Sequence, residues 1–215
     1  MTYLNIMNNV LRRLREEEVN SVNESTYSKM AGDFINDAKT IVEEASDWSA
    51  LRTTLVIETV EGDNLYSLAG CGDNVKVMSA LNDTQDCFFS YQTKDWFNNR
   101  LYISNETSGA PQYYTYHGLD ANGDTQVLVN PKPDGVYSLR FDVIKRQADL
   151  SNNADVLLVP SKPVIHLAVA LLARERGETG GTSTAEYFAI ADKYLSDAIA
   201  IDAAKHPEEM IFRTI

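Results

Sequence analysis

The apolar period of this sequence changes twice along the chain. It runs near 3.6 at the start, drops to 2, and returns to 3.6, so two helical stretches bracket a stranded one. A helix must bury a stripe and a strand must bury a face, and neither stretch supplies a complete core alone. The order predicts an α+β chain in which a β stretch interrupts a helical one.

The first helix is predicted over Tyr3 to Glu18, with Leu4, Met7, Val10, Leu11 and Leu14 on one stripe. Arg12, Arg13 and Arg15 suit a helix C-terminus, whereas Glu16, Glu17 and Glu18 do not. The block reads either as a solvated helix end or as a charged seam between neighbouring subunits. Asn23 is the expected cap of a second helix, which Tyr27, Met30, Ala31, Phe34, Ile35, Ala38, Ile41, Val42 and Ala45 carry for about five turns. The two make a helical hairpin, and Trp48 is expected to pack where helix gives way to strand.

From Leu51 the side chains alternate. Strands are predicted over Leu51–Val60, Leu65–Leu68, Val75–Leu81, Cys87–Thr93, Arg100–Ser104, Gln112–His117, Thr125–Val129 and Val136–Ile144. Glu61-Gly62-Asp63-Asn64, Gly70-Cys71-Gly72-Asp73 and Asp120-Ala121-Asn122-Gly123 supply turn chemistry between them. Short strands at this spacing describe an antiparallel sandwich or open barrel. In the last strand Tyr137, Leu139, Phe141 and Val143 face in, and Ser138, Arg140 and Asp142 face out.

Helix returns at Pro160-Ser161-Lys162-Pro163, with Val164, Ile165, Leu167, Ala168, Leu171 and Leu172 on a wide apolar face and Gly177 as the stop. Ser183 and Glu186 form the expected capping box of the last helix, which Pro207 ends. Joining the two helical pairs gives a four-helix bundle with an inserted antiparallel β-sandwich or barrel. The expected boundaries are a helical hairpin at 1–50, the β domain at 51–149, the completing pair at 150–206 and a tail at 207–215. In the tail, Met210, Ile211 and Phe212 place three apolar side chains after a helix-stopping proline. They either fold back on the bundle or insert into a partner.

Chemistry is sparse. Nineteen basic against 31 acidic residues give a net charge of −12, the wrong sign for a protein that grips phosphates. Cys71 and Cys87 are expected as free thiols, and His117, His166 and His206 show no metal-ligand spacing. Asp120-Ala121-Asn122-Gly123-Asp124 fails as a calcium loop, since Thr125 and Pro131 stand where Gly and Glu are needed. The glycines at 177–181 lack a following Lys-Ser/Thr and a preceding strand, which excludes a phosphate cradle. Neither cysteine carries a nucleophile signature, and His166 reads as a core histidine. Glu43-Glu44 and Glu208-Glu209 are adjacent pairs whose side chains diverge. Tyr113, Tyr114 and Tyr116 with Trp96 and Phe97 form an aromatic cluster, read as sandwich core plus a protein contact. No enzyme activity, cofactor or metal is expected. With no basic and apolar leader and no run near the roughly 20 apolar residues of a membrane span, the chain is expected in a cytosol, away from membranes.

The layout, with Ala45-Ser46-Asp47-Trp48 at the helix–strand junction, Pro131-Lys132-Pro133 and the Tyr137-Ser138-Leu139-Arg140-Phe141 strand, resembles the head-to-tail adaptor (connector) proteins of tailed phages, in particular the tail tubular protein A or gatekeeper group. The resemblance implies a non-enzymatic virion component of the tail or neck, present in the host cytoplasm during assembly. It implies a ring of twelve copies, monomeric when free, joining the portal protein to the tail nozzle protein. DNA would pass through the ring without specific binding. On that reading Met210, Ile211 and Phe212 are candidates for portal docking, and Arg12, Arg13, Arg15, Glu16, Glu17 and Glu18 for the inter-subunit contact. Asn105, Pro111, Asp120 and Asn122 are candidates for contact with the nozzle or a neighbour. The competing readings are a tail-completion or terminator protein and a carbohydrate-binding module.

Overall fold

The computed structural model of the chain describes residues 1–103, 107–177 and 184–205. The fold is mixed α+β, and the chain divides into two compact units, Met1–Leu51 with Gln147–Ile215, and Arg52–Arg146.

The first unit carries α1 (Tyr3–Arg13), α2 (Thr26–Glu44), α4 (Ser161–Glu175) and α5 (Thr184–Ala203). Helix α4 packs against the other three. Its run from Pro163 to Ala173 is buried at every residue except His166. The wide apolar face expected there is therefore close to a full circumference, as in a helix enclosed by its neighbours. Gly177, at φ 66°, closes α4 as expected, its N–H reaching the Arg174 carbonyl. The cap of α2 is Ser25 rather than Asn23. Ser25 and Ser28 exchange side-chain and backbone hydrogen bonds at 3.0 Å in a reciprocal capping box. Trp48 is buried at the end of α2 and donates its ring N–H to the Val42 carbonyl at 2.6 Å, an oxygen that also accepts the Ala45 N–H at 3.3 Å. The capping box placed at Ser183 lies outside the described residues.

Polar side chains hold the segment that enters α4. Asn36 donates to the Leu150 carbonyl at 3.1 Å and accepts from its N–H at 3.0 Å. One helical turn on, buried Lys39 donates to the Gln147 carbonyl at 2.7 Å and lies 3.6 Å from Glu43 and 3.5 Å from Asp149. The carbonyls of Asn153 and Asp155 accept the first N–H groups of α1, from Leu4 and Tyr3.

The second unit carries β1 (Arg52–Glu58), β2 (Leu65–Ser67), β3 (Val75–Asn82), β4 (Cys87–Phe88), β5 (Ser90–Tyr91), a short helix α3 (Lys94–Asn98) with one wider turn over Asn99–Ile103, β6 (Tyr113–Leu119), β7 (Thr125–Asn130) and β8 (Ser138–Lys145). Two four-stranded sheets form, in the orders β1-β8-β3-β4 and β2-β7-β6-β5. They share one core containing Tyr66, Val127, Val129 and Tyr114 from one sheet and Ala80, Leu139, Phe141 and Val143 from the other. The inward and outward sets expected in β8 are those observed.

Three strand expectations are corrected. The first sheet is wholly antiparallel, but β5 runs parallel to β6, so the second is mixed. The single strand expected over Cys87–Thr93 is two, one per sheet, because the chain changes sheets at buried Phe89. Arg100 to Ile103 are helical, not extended. That helical run begins at Thr93, whose hydroxyl accepts from the Trp96 N–H at 3.3 Å.

Candidate interaction surfaces

The charged block at the end of α1 takes its shape from where the helix stops. Arg15 sits in the left-handed region at φ 59°. The Glu16 N–H reaches the Leu11 carbonyl and the Arg15 N–H that of Arg12, a Schellman closure with arginine in the place glycine usually takes. The helix therefore ends at Arg13, not Glu18, and the three glutamates lie in the connection to α2. Two of them are used within the chain. Arg12 pairs with Glu18 at 3.0 Å. Arg176, at the end of α4, pairs with Glu16, donates to the Leu14 carbonyl at 3.3 Å and lies 5.3 Å from the centre of the Tyr27 ring. Arg13, Arg15 and Glu17 remain exposed.

His166 is half-buried on α4 and stacks on Tyr194 of α5, with ring centroids 4.4 Å apart. Burial lowers its pKa, and Arg13 and Lys162 lower it further. At the other end of α5, Asp202 accepts from the N–H and hydroxyl of Ser49 at 2.8 and 2.6 Å and from Lys205 at 2.9 Å. Burial pushes this carboxyl up, but the Ser49 and Lys205 donors outweigh it and hold the pKa at about 2.

In the second unit the aromatic cluster splits, because neighbours on a strand point to opposite faces. Tyr114 and Tyr116 join Phe89, Phe141 and Tyr91 on the core side. Burial pushes the Tyr114 phenol up to about 12, with Tyr116 and Tyr91 adding to it. Tyr113 faces the other way and meets Trp96 of α3 at 4.8 Å. The Tyr116 hydroxyl accepts from the Val77 N–H at 3.0 Å, where the register of β3 shifts.

The β6–β7 turn is a closed structure. Asp120 accepts from the N–H groups of Asn122 and Asp124, which lowers its pKa. Asp124 in turn accepts from Gly70 and Gly72 at 2.9 and 2.8 Å, which fastens two turns together. Asn122 is exposed at the tip and Asp120 half-buried. Pro111 is buried, and its carbonyl accepts from the Asn82 side-chain amide at 3.1 Å. Asn105, Met210, Ile211 and Phe212 lie outside the described residues.

Cys71 and Cys87 are free thiols, and burial raises the pKa of Cys71, with Lys145 lowering and Asp124 raising it. Lys94 donates to His117 Nδ1 at 2.7 Å beside a shallow groove lined by Asp73, Tyr116, Leu119 and Thr125. Among the described residues no cluster of three metal-ligating side chains occurs, and no helix is long and apolar enough to cross a membrane. Exposed among the described residues are the end of α1, the outer face of α5 and the tip of the β6–β7 turn.

Residues 1–209 match the family model described as SU10 adaptor protein. No curated protein matches the chain.

Proposed function

The chain belongs to the SU10 adaptor protein family, which makes it a phage structural adaptor of the virion, and we propose that it joins head to tail as a ring of twelve copies. The ring sits between the portal protein and the tail nozzle protein, as in the tail tubular protein A or gatekeeper group, and encircles the channel through which DNA passes. The observation that carries this reading is a family match that runs through both helical stretches and the β stretch between them.

Within that role, the α4-centred unit is a four-helix bundle built from both halves of the chain, and the two sheets are a sandwich inserted into it. The net charge of −12 suits a channel wall that phosphates slide past without sticking. A ring needs two different faces on each copy. The exposed Arg13 and Arg15 are proposed to meet acidic groups of the next copy, and Asn122 on the β6–β7 turn is proposed to face the nozzle or a neighbour. Met210, Ile211 and Phe212 are proposed to dock on the portal. The protein is proposed to catalyse nothing and to bind no cofactor.

The test is to mix the purified chain with portal rings. Twelve-fold rings that co-sediment with portal, from a chain monomeric alone in sedimentation velocity, are expected. Six-fold rings formed without portal would assign it instead as a tail terminator.

A further inference from the structure

Among the described residues, strand β1 is the one long open edge of the two sheets. It pairs with β8 alone, in unbroken register over seven residues, whereas the edges formed by β2, β4 and β5 are two or three residues long. The Thr59 N–H donates to the Tyr137 carbonyl at 2.9 Å, which carries that register one pair further. Odd-numbered residues therefore turn their backbone groups to β8, and even-numbered ones turn theirs outward. At Val60 the fold covers the outward groups itself, with the Tyr66 hydroxyl 3.2 Å from the nitrogen and 3.3 Å from the oxygen. Among the described residues no hydrogen bond reaches the outward backbone groups of Thr54, Val56 and Glu58, and all three residues are exposed, Val56 by 55%. On the core side Leu55 and Ile57 are half-buried, while Phe141 and Leu139 opposite them on β8 are fully buried, so the core ends at β1 with its flank open. Between Arg52 and Glu58 no proline, lysine or bulge blunts this edge.

We propose that this edge pairs with the same edge of a second copy, β1 against β1 and antiparallel. The strand is complementary to itself. Full overlap sets Leu55 opposite Leu55 of the second copy and Thr54 opposite its Val56, and at each end Arg52 faces Glu58. Every outward residue then faces another outward residue, so the pair closes with about eight backbone hydrogen bonds. A slip of one residue would set outward groups against groups already turned to β8, and a slip of two would part the opposite charges. A parallel arrangement would bring like charges together at both ends. The two-fold axis stands across the sheets, so Leu55 and Ile57 of both copies stay on the core side and cover each other's open flank.

A two-fold contact closes on two copies and does not propagate round a ring. The pair is therefore a form of the chain off the portal, and it stands or fails independently of the head-to-tail role. Two seven-residue edges cover well under the roughly 1,200 Å² of a stable complex. Pairing is accordingly weak, with a dissociation constant of about 0.1–1 mM, and the chain stays single at the dilution of a sedimentation-velocity run.

The experiment raises the full chain from about 10 μM to about 1 mM and follows its mass by sedimentation equilibrium and its amide exchange by NMR. The mass should approach double. Exchange at Thr54, Val56 and Glu58 should slow about fivefold or more, with Leu55 and Ile57 unchanged. Val56→Pro removes one outward N–H where an edge strand tolerates proline, and should abolish the doubling while circular dichroism shows the fold intact. Arg52→Glu and Glu58→Arg should each lose pairing alone and regain it when mixed, since only the mixture sets opposite charges across both ends. An unaltered chain that stays single at the highest concentration overturns the proposal. So does a doubling that Val56→Pro leaves intact, or one that the charge variants neither lose nor regain. If the unaltered chain stays single and Val56→Pro instead blocks ring assembly on portal, the edge belongs to a strand of the next copy in the ring, and the two-fold pair is ruled out.

Discussion

Asn36 and Leu150 exchange two hydrogen bonds across 114 residues of sequence, the side-chain amide of one closing on the backbone of the other. The pair ties α2 to the segment that enters α4, so the first helices are held by residues on the far side of the β stretch. Asn36→Ala would leave the amide and carbonyl of buried Leu150 unpaired. The expected cost is about 2–4 kcal/mol, read by chemical denaturation. For the same reason residues 1–50 expressed alone should show little helix by circular dichroism.

A second close fit joins α1 to α2. A methyl group at Gly32 would overlap the hydroxyl of buried Tyr3, while Met7 stays at ordinary contact distance. Gly32→Ala should therefore lower stability by about 1–3 kcal/mol, despite the better helix propensity of alanine. Tyr3→Phe removes the colliding atom. In that background Gly32→Ala should become neutral or stabilising by up to about 1 kcal/mol. A double-mutant cycle followed by thermal melting measures the difference.

Periodicity made the α+β order legible, and turn chemistry made the β6–β7 turn legible through Asp120 and Gly123. What it missed has physical causes. Arg15 ends α1 in a conformation that signals only when glycine or asparagine holds it. Trp96, Phe97, Leu101 and Tyr102 suit strands, and Thr93 followed by Asp95 was the one cue that a helix begins there. Asn36 and Lys39 look like a solvent face of α2, yet both bind backbone more than 100 residues away. Of the candidate surfaces, the charged block could be read from sequence. Its internal pairing with Arg176 could not, because that contact depends on where α4 ends.

That pairing separates structural charges from available ones. Arg15→Gly keeps the left-handed turn and removes an exposed charge, so free-chain stability should hold or rise by about 1 kcal/mol. Arg13→Glu should also leave melting nearly unchanged. If Arg13 and Arg15 meet the next copy in the ring, the double variant should still fold but lose ring assembly on portal, seen by sedimentation and negative-stain microscopy. Arg176→Ala should do the reverse first. It strips Glu16 and the Leu14 carbonyl of a partner and should lower stability by about 1–3 kcal/mol.

Acid should loosen the helical unit in two windows. His166 has a folded-state pKa below its ordinary 6.5, so the folded form resists its protonation. Stability from this residue is complete above that value and declines as pH falls through it; His166→Gln should flatten that part of the profile. Asp202 also has a depressed pKa, at about 2 against an ordinary 3.8. Its contribution, on the order of 2 kcal/mol, is present above pH 4 and is lost as pH falls towards 2. Asp202→Asn should cost most at neutral pH and almost nothing at pH 2. Ser49→Ala removes one of its donors and should give a smaller change of the same sign. Urea denaturation midpoints from pH 2 to 8, for the unaltered chain and these three variants, check both windows.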